Sequence, residues 1–454
     1  MLKKIRAVII ICCLISLLGI LGYAYLIDQN NTVIDKDDII NNVDNVNTEE
    51  LNYDYVSSYL KKLGIGNLNA YKLNTIESQL EADFYKDMPS EEEMAKKIVA
   101  LFLEHFYDSV DLEDKEAVTD AVLKCWFASL GDPYAYYRTT TEYEAYLEDL
   151  IGGESFVGIG VMINAETLEI LTVYPDSGAA EAGIKPRDII FGVDGKTVED
   201  TDKTELTEML RGDEGTTVQV TVKRGDELIE YTVTRKVIVE KSVYYSIDED
   251  NIGVINITQF VQTTSDEFKE AVDYCVESGV DALIIDVRYN PGGLLGSVIE
   301  VIDYLVPDSP DRRVTSYTQA GEEYVYYTED GHSVDLPIAV ICNGGTASAG
   351  ELFTAAMRDY GAEGVLDTVI IGTQTYGKGV VQNSYTLYDY SGITYTIGYY
   401  NPPCDVNFDG EGITPEIIVE EVEAIDLPYN TAKAEVIKMI DTKGGMTVSV
   451  GMAA

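Results

Sequence analysis

The chain has 454 residues, of which 46% are hydrophobic and 24% are charged, a composition typical of globular domains rather than of disordered proteins. Its formal net charge of −47 reflects 79 acidic against 32 basic residues, and this imbalance excludes nucleic acid as an expected partner. The length predicts two or three domains.

The segment 1–27 differs in character from the rest of the chain. Three basic residues, the last of them Arg6, precede an uncharged apolar run over 7–27. At about 1.5 Å per helical residue this run spans about 30 Å, enough to cross a bilayer. Its length and its poor cleavage site favour a single-pass transmembrane signal anchor over a cleaved signal peptide. The basic flank predicts that everything after the anchor lies on the extracytoplasmic side of the cell membrane, with 28–50, rich in Asn and Asp, as a polar stalk.

The region 51–150 carries apolar residues at helical spacing, which predicts a helical N-terminal region. One stripe runs through Ile98, Phe102 and Phe106, and a longer one is formed by Val118, Ala121, Val122, Cys125 and Trp126. His105, on the first of these helices, is expected to be a packing or surface residue rather than a catalytic one. Analogy alone suggests that helices before residue 130 form a homodimer interface.

Metal-binding patterns are weak in this sequence. Four cysteines lie beyond the apolar run without any Cys-x-x-Cys pair, which indicates neither a zinc site nor a disulfide scaffold. The run Asp405-Val406-Asn407-Phe408-Asp409-Gly410, with Glu416 at the twelfth position, matches a calcium-binding loop in letters. A strand-like stretch before it, and Pro415 where a helix should begin, argue against that interpretation. We therefore expect no metal and no cofactor.

Short strands separated by glycine turns occupy 156–239, with one short helix predicted over 204–211. Their order resembles a PDZ domain of the bacterial protease type, a β-sandwich or barrel-like unit, which we assign to 151–240. The resemblance rests on Pro175-Asp176-Ser177-Gly178-Ala179-Ala180, Ala182-Gly183-Ile184 and Gly192-Val193-Asp194-Gly195. It implies that backbone amides hold a peptide carboxylate while the peptide adds to the sheet as a strand. The implied peptide-binding residues are Gly158, Ile159, Gly160, Val161 and Met162.

From residue 251 onward strands and helices alternate, which predicts an α/β core over 241–425, followed by a C-terminal tail over 426–454. Ser265 is predicted to cap a helix that ends at Gly279. The other elements are predicted as strands over 252–257, 282–287, 338–342 and 369–372 and as helices over 294–305 and 348–360.

Two glycine-rich turns of this core leave a strand and enter a helix, Asn290-Pro291-Gly292-Gly293 and Asn343-Gly344-Gly345-Thr346-Ala347-Ser348. Backbone amides at such positive helix ends can stabilise an oxyanion. Ser348 lies where a nucleophile would, and Lys378, between two glycines, could accept its proton if a pocket of low dielectric lowered the pKa of its amine. Serine is also a common helix cap and lysine a common turn residue, so spacing alone leaves both interpretations open.

Five motifs, in order between about residues 90 and 420, resemble those of the carboxyl-terminal processing proteases, serine–lysine peptidases that combine a PDZ domain with a crotonase-like α/β core. The motifs are Gly131-Asp132-Pro133-Tyr134 with Tyr137, Asp286-Val287-Arg288-Tyr289-Asn290-Pro291-Gly292-Gly293, Gly345-Thr346-Ala347-Ser348-Ala349-Gly350-Glu351, Tyr376-Gly377-Lys378-Gly379 with Gln382, and Gly412-Ile413-Thr414-Pro415. The resemblance implies a multidomain α/β protein and a membrane-anchored endopeptidase. It would cleave protein substrates near their C-termini, with the PDZ domain capturing the substrate and gating the site.

The resemblance assigns Ser348 as the nucleophile, Lys378 as the general base and Gln382 as the residue that positions the lysine amine by hydrogen bonding. The alternative of a non-catalytic, anchored PDZ module is disfavoured because all three residues are present. A histidine-based site built on His332, in a polar turn, is a weaker alternative.

The resemblance also assigns the oxyanion hole to the backbone amides of Ala349 and of Gly293, the latter in preference to Gly292. Two departures from the family pattern concern the local geometry of the site. Gly350 stands where the family often has another serine. The stretch between the serine and the lysine is about five residues longer than expected, and we place the extra length over 362–368.

Overall fold

The computed structural model describes residues 68–448, except 90–96, 99, 103, 107–108, 112, 153–154, 165–166, 175, 199–200, 202, 226, 240 and 423–424. The predicted anchor over 1–27 and the stalk over 28–50 lie outside the described residues, as does the start of the helical region. None of the helices described is long and apolar enough to span a bilayer.

The elements of the first half, in chain order, are α1 (Ala70–Asp83), α2 (Lys115–Ser129), β1 (Tyr136–Arg138), α3 (Thr140–Ile151), β2 (Ser155–Gly158), β3 (Val161–Ile163), β4 (Ile170–Val173), α4 (Gly178–Ala182), β5 (Ile189–Val193), β6 (Lys196–Thr197), α5 (Lys203–Leu210), β7 (Thr217–Arg224), β8 (Glu227–Thr234) and β9 (Lys236–Val239). Those of the second half are β10 (Val243–Ile247), β11 (Ile252–Ile257), α6 (Thr264–Glu277), β12 (Ala282–Asp286), α7 (Leu295–Leu305), β13 (Arg313–Gln319), β14 (Glu322–Tyr327), β15 (Ile338–Cys342), α8 (Ala349–Ala362), β16 (Thr368–Gly372), β17 (Val380–Thr386), β18 (Gly392–Asn401), β19 (Ile417–Ile418) and α9 (Leu427–Val448).

The chain divides into two compact units that are not contiguous in sequence. Among the described residues, the first combines those before 148 with 317–324 and 380–399, and the second holds those of 148–316, 325–379 and 400–448. Two segments that lie within the predicted core over 241–425, namely 317–324 and 380–399, fall in the first unit.

The first unit is built on an antiparallel sheet in which β18 pairs with both β1 and β17, with Tyr136 opposite Thr394 and Val380 opposite Tyr399. Strand β1 lies in the region that we predicted to be helical. The prediction of α2 is confirmed, since all five residues of its predicted apolar stripe are buried. Local periodicity identified the helix but not a three-residue strand whose partner lies far along the chain.

Two polar groups of the first unit, one buried and one half-buried, hold its helices to its sheet. The ammonium of Lys72 is 2% exposed and pairs with Asp120 at 3.0 Å and with Asp389 at 2.8 Å. The Asp83 carboxylate accepts hydrogen bonds from the phenols of Tyr385 and Tyr395. A buried charge is tolerated only when it is paired in this way, so these contacts connect helix α1 to the strands that return from the second half of the chain.

The second unit contains a six-stranded sheet in the order β10-β11-β12-β15-β16-β19. Strand β10 is antiparallel to β11, and every other neighbouring pair is parallel. Residues 282–285 of β12 are all fully buried, because helices cover both faces of a parallel sheet. Helix α9 packs on β12, β15 and β16, α6 packs on β10 and β11, and α8 packs on β15 and β16. Helix α7 packs against both α6 and α8.

A β-rich segment (155–239) precedes this sheet within the same unit. It consists of two short antiparallel pairs, β2 with β9 and β3 with β4, and a sheet in the order β6-β5-β7-β8. Its own apolar core includes Ile159, Ile190, Leu206 and Val220, all nearly inaccessible to solvent. The strand-rich texture and the helix predicted over 204–211 are confirmed, with α5 one residue earlier than expected.

One prediction at a helix end was wrong, and the segment predicted as a C-terminal tail contains a helix. The tail over 426–454 includes α9, whose Ala432 and Val436 are fully buried against the strands of the sheet. Ser265 lies inside α6 and is not its cap, because the helix begins one residue earlier and Thr263 precedes it without a side-chain capping bond. In both places the local sequence is compatible with the predicted and with the observed structure. The packing of the helix against the rest of the protein determines which of the two forms.

Three carboxylates lie together at the end of α7. Oxygen atoms of Asp303, Asp308 and Asp330 fall within 4.8 Å of one another. Burial raises the pKa of Asp303 to about 6; the neighbouring charges of Asp330 and Asp308 add to this effect, and a hydrogen bond from the Glu329 amide opposes it. The charged form of this aspartate is therefore disfavoured in the folded protein.

We expect Asp303→Asn to raise the free energy of unfolding by about 1–2 kcal/mol at pH 7, and to give no gain at about pH 4. The folded pKa lies above the unfolded value, so the native state loses stability as pH rises from about 4 through 6, and the amide removes this loss. Urea unfolding at the two pH values measures the effect, with the exposed Asp311→Asn as control. Equal stabilisation at both pH values would contradict the assignment.

Candidate active site

Three turns meet at the carboxyl edge of the parallel sheet. They follow β12, β15 and β16, which are neighbours in the sheet order, and they span 287–293, 343–348 and 373–379. Because parallel strands end on the same edge, the fold brings these turns together, and they carry the predicted oxyanion, nucleophile and base residues.

Ser348 occupies the position just before the first residue of α8, in an unusual backbone conformation. Its φ is 53° and its ψ is −118°, a region that residues other than glycine rarely adopt and that costs about 1–3 kcal/mol. Among the described residues no hydrogen bond of its hydroxyl is found, whereas its backbone N–H donates to Glu351 in the Ser-x-x-Glu capping pattern. A strained turn that presents an uncommitted hydroxyl is typical of a nucleophile.

The carboxylate of Glu351 connects the serine to the lysine. Its Oε2 accepts the backbone N–H of Ser348 at 2.9 Å and that of Lys378 at 2.7 Å. Its Oε1 accepts the backbone N–H of Gly377 and the hydroxyl of Thr375, both at 2.6 Å. The side chain is fully buried, so these four hydrogen bonds replace the water that the charge has lost.

Because one oxygen atom binds both amides, the backbone nitrogens of Ser348 and Lys378 are held within about 6 Å of each other. The longer stretch between the two residues therefore does not separate them. Its predicted site lies largely in the short connection between α8 and β16, where the amides of Val365 and Leu366 both donate to the Tyr360 carbonyl. Lys378 itself is half-buried.

The side chains that match a calcium loop in letters hold the lysine turn instead. Asn407 donates to the Gly379 carbonyl at 2.8 Å, and Asp409 accepts the Gly379 amide at 3.0 Å. Glu416, the twelfth position, accepts the amide of Ile370 in β16 at 2.8 Å. The hydrogen bonds of this loop therefore fix the residue that follows Lys378.

The two amides predicted for the oxyanion hole are both uncommitted. Among the described residues, neither the N–H of Gly293 nor that of Ala349 donates a hydrogen bond. The N–H of Gly292, in contrast, donates to the side chain of Asn290 at 2.9 Å. A Cβ added to Gly292 would lie 2.7 Å from Ser348 Cβ and 2.9 Å from the Ala349 nitrogen, so the first turn lies directly against the serine. This geometry favours Gly293 over Gly292.

Two asparagines that the sequence analysis gave no role hold these turns in place. Asn290 is fully buried, donates to the Ile257 carbonyl at 2.8 Å and accepts the Ala347 amide on its own carbonyl at 2.8 Å. The side-chain oxygen of Asn343 accepts the amides of Tyr289 and Gly345, both at 3.0 Å. These bonds pair the amides of Ala347, Tyr289 and Gly345 near the site, whereas the amides of Gly293 and Ala349 have no such partner among the described residues.

Gln382 lies on β17, in the first unit, at an irregular step between Val381 and Gln382 in the pairing with β18. Its side-chain amide donates to the carbonyl of Tyr134 at 2.5 Å. Tyr134 belongs to the first of the five motifs, which gives that motif a structural role. The positioning of Lys378 by Gln382 stays a prediction.

The predicted peptide-binding residues line a groove (the β3–α5 groove) in the β-rich segment. A cavity of about 250 Å³ lies between β3 and α5, and all five of Gly158, Ile159, Gly160, Val161 and Met162 border it. The floor of the groove is apolar and includes Leu206 and Leu210 of α5. Strand β3 pairs only with β4 among the described strands, so an added strand has an edge to bind.

Neither histidine lies in the arrangement around Ser348. His332 stacks on the ring of Tyr304, with centroids 3.7 Å apart, and its Nδ1 lies 2.6 Å from the Tyr304 carbonyl oxygen. His105 is exposed and lies 3.9 Å from the carboxylate of Glu104.

Comparisons with known proteins identify the family and the fold. The sequence profile of peptidase family S41 matches residues 251–419, and that of the PDZ domain matches 169–224. A probable CtpA-like serine protease of Staphylococcus haemolyticus is 35% identical over 306 residues, which cover 66% of this chain and 59% of that protein. The carboxy-terminal processing protease CtpA of Bacillus subtilis is 33% identical over 324 residues, which cover 70% of this chain and 67% of that protein.

Among solved structures, a putative S41 protease from Bacteroides fragilis aligns with a TM-score of 0.55 at 20% identity, covering 82% of this chain and 97% of that one. At this identity the likeness shows a shared fold. The matched part spans about three fifths to two thirds of the length of the two curated relatives.

We expect Glu351→Gln to lower the free energy of unfolding by about 2–4 kcal/mol. An amide offers one acceptor oxygen in place of two, and its NH₂ group would face the backbone N–H groups of Ser348 and Lys378 or of Gly377. Denaturant unfolding measures the loss, and the exposed Glu363→Gln at the other end of α8 serves as the matched control. A loss no larger than that of the control would mean that the carboxylate does not hold the turns together.

Proposed function

The chain belongs to peptidase family S41, and from that premise we propose that it is a serine endopeptidase in which Ser348 is the nucleophile and Lys378 the general base. The observation that carries the proposal is the Glu351 carboxylate, whose single oxygen atom binds the backbone of both residues. The uncommitted amides of Gly293 and Ala349 beside the serine supply the second requirement, a site for an oxyanion.

The proposed reaction follows from these positions. The Ser348 hydroxyl attacks the carbonyl carbon of the scissile peptide bond while the neutral amine of Lys378 takes its proton. The amides of Gly293 and Ala349 donate to the oxyanion of the tetrahedral intermediate. Lys378 returns the proton to the departing amine, and water then hydrolyses the acyl-enzyme with Lys378 again as base.

We further propose that the substrates are proteins cleaved near their C-termini, captured by the β-rich segment. The B. subtilis relative is named a carboxy-terminal processing protease, and the β3–α5 groove has the open strand edge and apolar floor that suit an extended chain end. The apolar run over 7–27 supports anchoring in the cell membrane, with the catalytic part on the extracytoplasmic side. Dimerisation through helices before residue 130 stays a prediction.

A chain of polar contacts supports the proposal that the β-rich segment gates the active site. The guanidinium of Arg187, in the turn before β5, lies 3.7 Å from the carboxylate of Glu421. That carboxylate accepts hydrogen bonds from the side chain of Asn343 at 2.8 Å and from the hydroxyl of Tyr289 at 2.7 Å. Asn343 and Tyr289 belong to the turns that carry Ser348 and Gly293. A movement of the β-rich segment that displaced Arg187 would therefore also displace the turns that form the proposed oxyanion site.

Ser348→Ala and Lys378→Ala are each expected to lower kcat/KM by at least about 10³-fold, because each removes a group that takes part in every bond-making step. Cleavage of an unstructured protein such as denatured casein, followed by gel electrophoresis, measures this loss. The exposed Ser278→Ala and the partly exposed Lys269→Ala variants are the matched controls. Unchanged proteolysis by either site variant would exclude the dyad, and inactivity of the unaltered chain would favour the non-catalytic module.

Arg187→Gln is expected to uncouple substrate capture from cleavage. In the unaltered enzyme a substrate with a free C-terminus should be cleaved with higher kcat/KM than its C-terminal amide. In the variant the ratio of these two kcat/KM values should fall towards one. Binding of the C-terminal peptide, measured in a Ser348→Ala background, should change less than about twofold, because Arg187 does not line the groove. If the cleavage ratio is unchanged in the variant, the Arg187–Glu421 contact does not transmit the signal.

A further inference from the structure

The β3–α5 groove carries one charged side chain in a protein of net charge −47. Of the residues described that line it, only Arg211 is charged, and the remainder are apolar, glycine or neutral polar residues. A single cation in an otherwise apolar groove of an acidic protein points to an anionic group on the bound chain, because nothing in the groove itself requires it.

Arg211 lies at the glycine-rich end of the groove. It directly follows α5, and its guanidinium lies over the ring of Phe156 with its central carbon 5.0 Å from the ring centroid. Its Cγ is 3.7 Å from the place where a Cβ on Gly158 would lie. The side chain is thus held beside the turn over 158–160, where the chain enters β3.

The neighbouring turn offers further donors for an anion. Within the described structure, the amides of Ile159 and Gly160 donate no hydrogen bond, while their carbonyls accept the amides of Ala179 and Tyr174. The backbone is therefore fixed by its carbonyls, and its amides are left for a ligand. Two free amides beside an arginine form a complete site for a carboxylate.

The guanidinium of Arg211 is uncommitted, unlike those of two other arginines of the β-rich segment. Arg235 donates to the carbonyls of Leu210 and Met209 at the end of α5, and Arg224 forms a bidentate pair with Asp188. Among the residues described, the Arg211 guanidinium has no hydrogen bond and no ion pair, and stacking on Phe156 is its one charge-related contact. Stacking orients the group while leaving all of its N–H donors unused.

We propose that Arg211 binds the free α-carboxylate of the captured substrate, together with the amides of Ile159 and Gly160. The inference rests on the proposed capture of protein C-termini and names the residue that distinguishes a true chain end from an internal or blocked segment. An internal segment has a neutral peptide group at this position and cannot form an ion pair with Arg211. Arg211 therefore restricts the enzyme to free carboxyl termini, in which an apolar last side chain contacts Leu206 and Leu210.

The test compares two peptides on the full-length chain carrying Ser348→Ala, so that neither is cleaved. Both are fluorescein-labelled decapeptides of Gly and Ser that end in Val, one with a free carboxylate and the other with a C-terminal amide. With Arg211→Gln the affinity for the acid should fall about five- to tenfold, while the affinity for the amide changes less than about twofold. Fluorescence polarisation gives both constants, and Arg211→Lys should recover part of the loss.

Lys196→Gln, which removes an exposed charge of the same segment outside the groove, is the control and should alter neither affinity. Salt screens the interaction between the guanidinium and the carboxylate. Raising sodium chloride from about 50 mM to about 500 mM should therefore reduce the ratio of the affinity for the acid peptide to that for the amide peptide, and reduce it more in the parent than in Arg211→Gln.

An equal weakening of both peptides would show that Arg211 acts by packing on Phe156, and unchanged affinities would show that it does not touch the ligand; either result overturns the inference. If the parent binds neither peptide, the proposed capture of C-termini fails, and the role of Arg211 fails with it. If the parent binds both peptides equally, capture stands but the charge-reading role of Arg211 is overturned.

Discussion

The buried carboxylate of Glu351 is the interaction on which the arrangement of the active site depends. A fully buried charge would be costly without partners, and this one is saturated by three backbone amides and one hydroxyl. Those donors come from two turns that follow different strands, β15 and β16. Separating the two turns would leave the charge or one of its donors unpaired, which is costly in a buried site. The hydrogen bonds therefore hold the turns together, although about thirty residues lie between Ser348 and Lys378 along the chain.

The turn after β12 is held by a different means, close steric fit. Gly292 and Gly293 have φ values of 100° and 140°, and a Cβ on Gly293 would lie 2.0 Å from the carbonyl oxygen of Phe260. Only glycine allows the backbone to approach both the neighbouring strand and Ser348 this closely. The glycines of this motif thus permit the close approach, and the Gly293 amide has no hydrogen-bond partner among the described residues.

Much of this could be predicted from local sequence, and what could not is long-range. Apolar runs gave β11 and β15 at their observed bounds, and glycine-rich motifs located the three turns. The Ser-x-x-Glu spacing of Ser348 and Glu351, a known capping pattern, could have drawn attention to the carboxylate. No local pattern reveals that 380–399 belongs with the first unit, or that Arg187 meets Glu421, because such pairings are decided by tertiary packing between distant segments.

The way in which Glu351 contacts the lysine bears on the chemistry. Its oxygen atoms are occupied by the backbone N–H groups of Ser348, Gly377 and Lys378 and by the hydroxyl of Thr375. A carboxylate paired with a lysine amine favours the protonated amine and so weakens it as a base. The hydrogen bond that Lys378 donates to Glu351 comes from its backbone N–H. A single buried anion thus holds together the backbone of Ser348 and Lys378, the proposed nucleophile and base, from turns that follow two different strands.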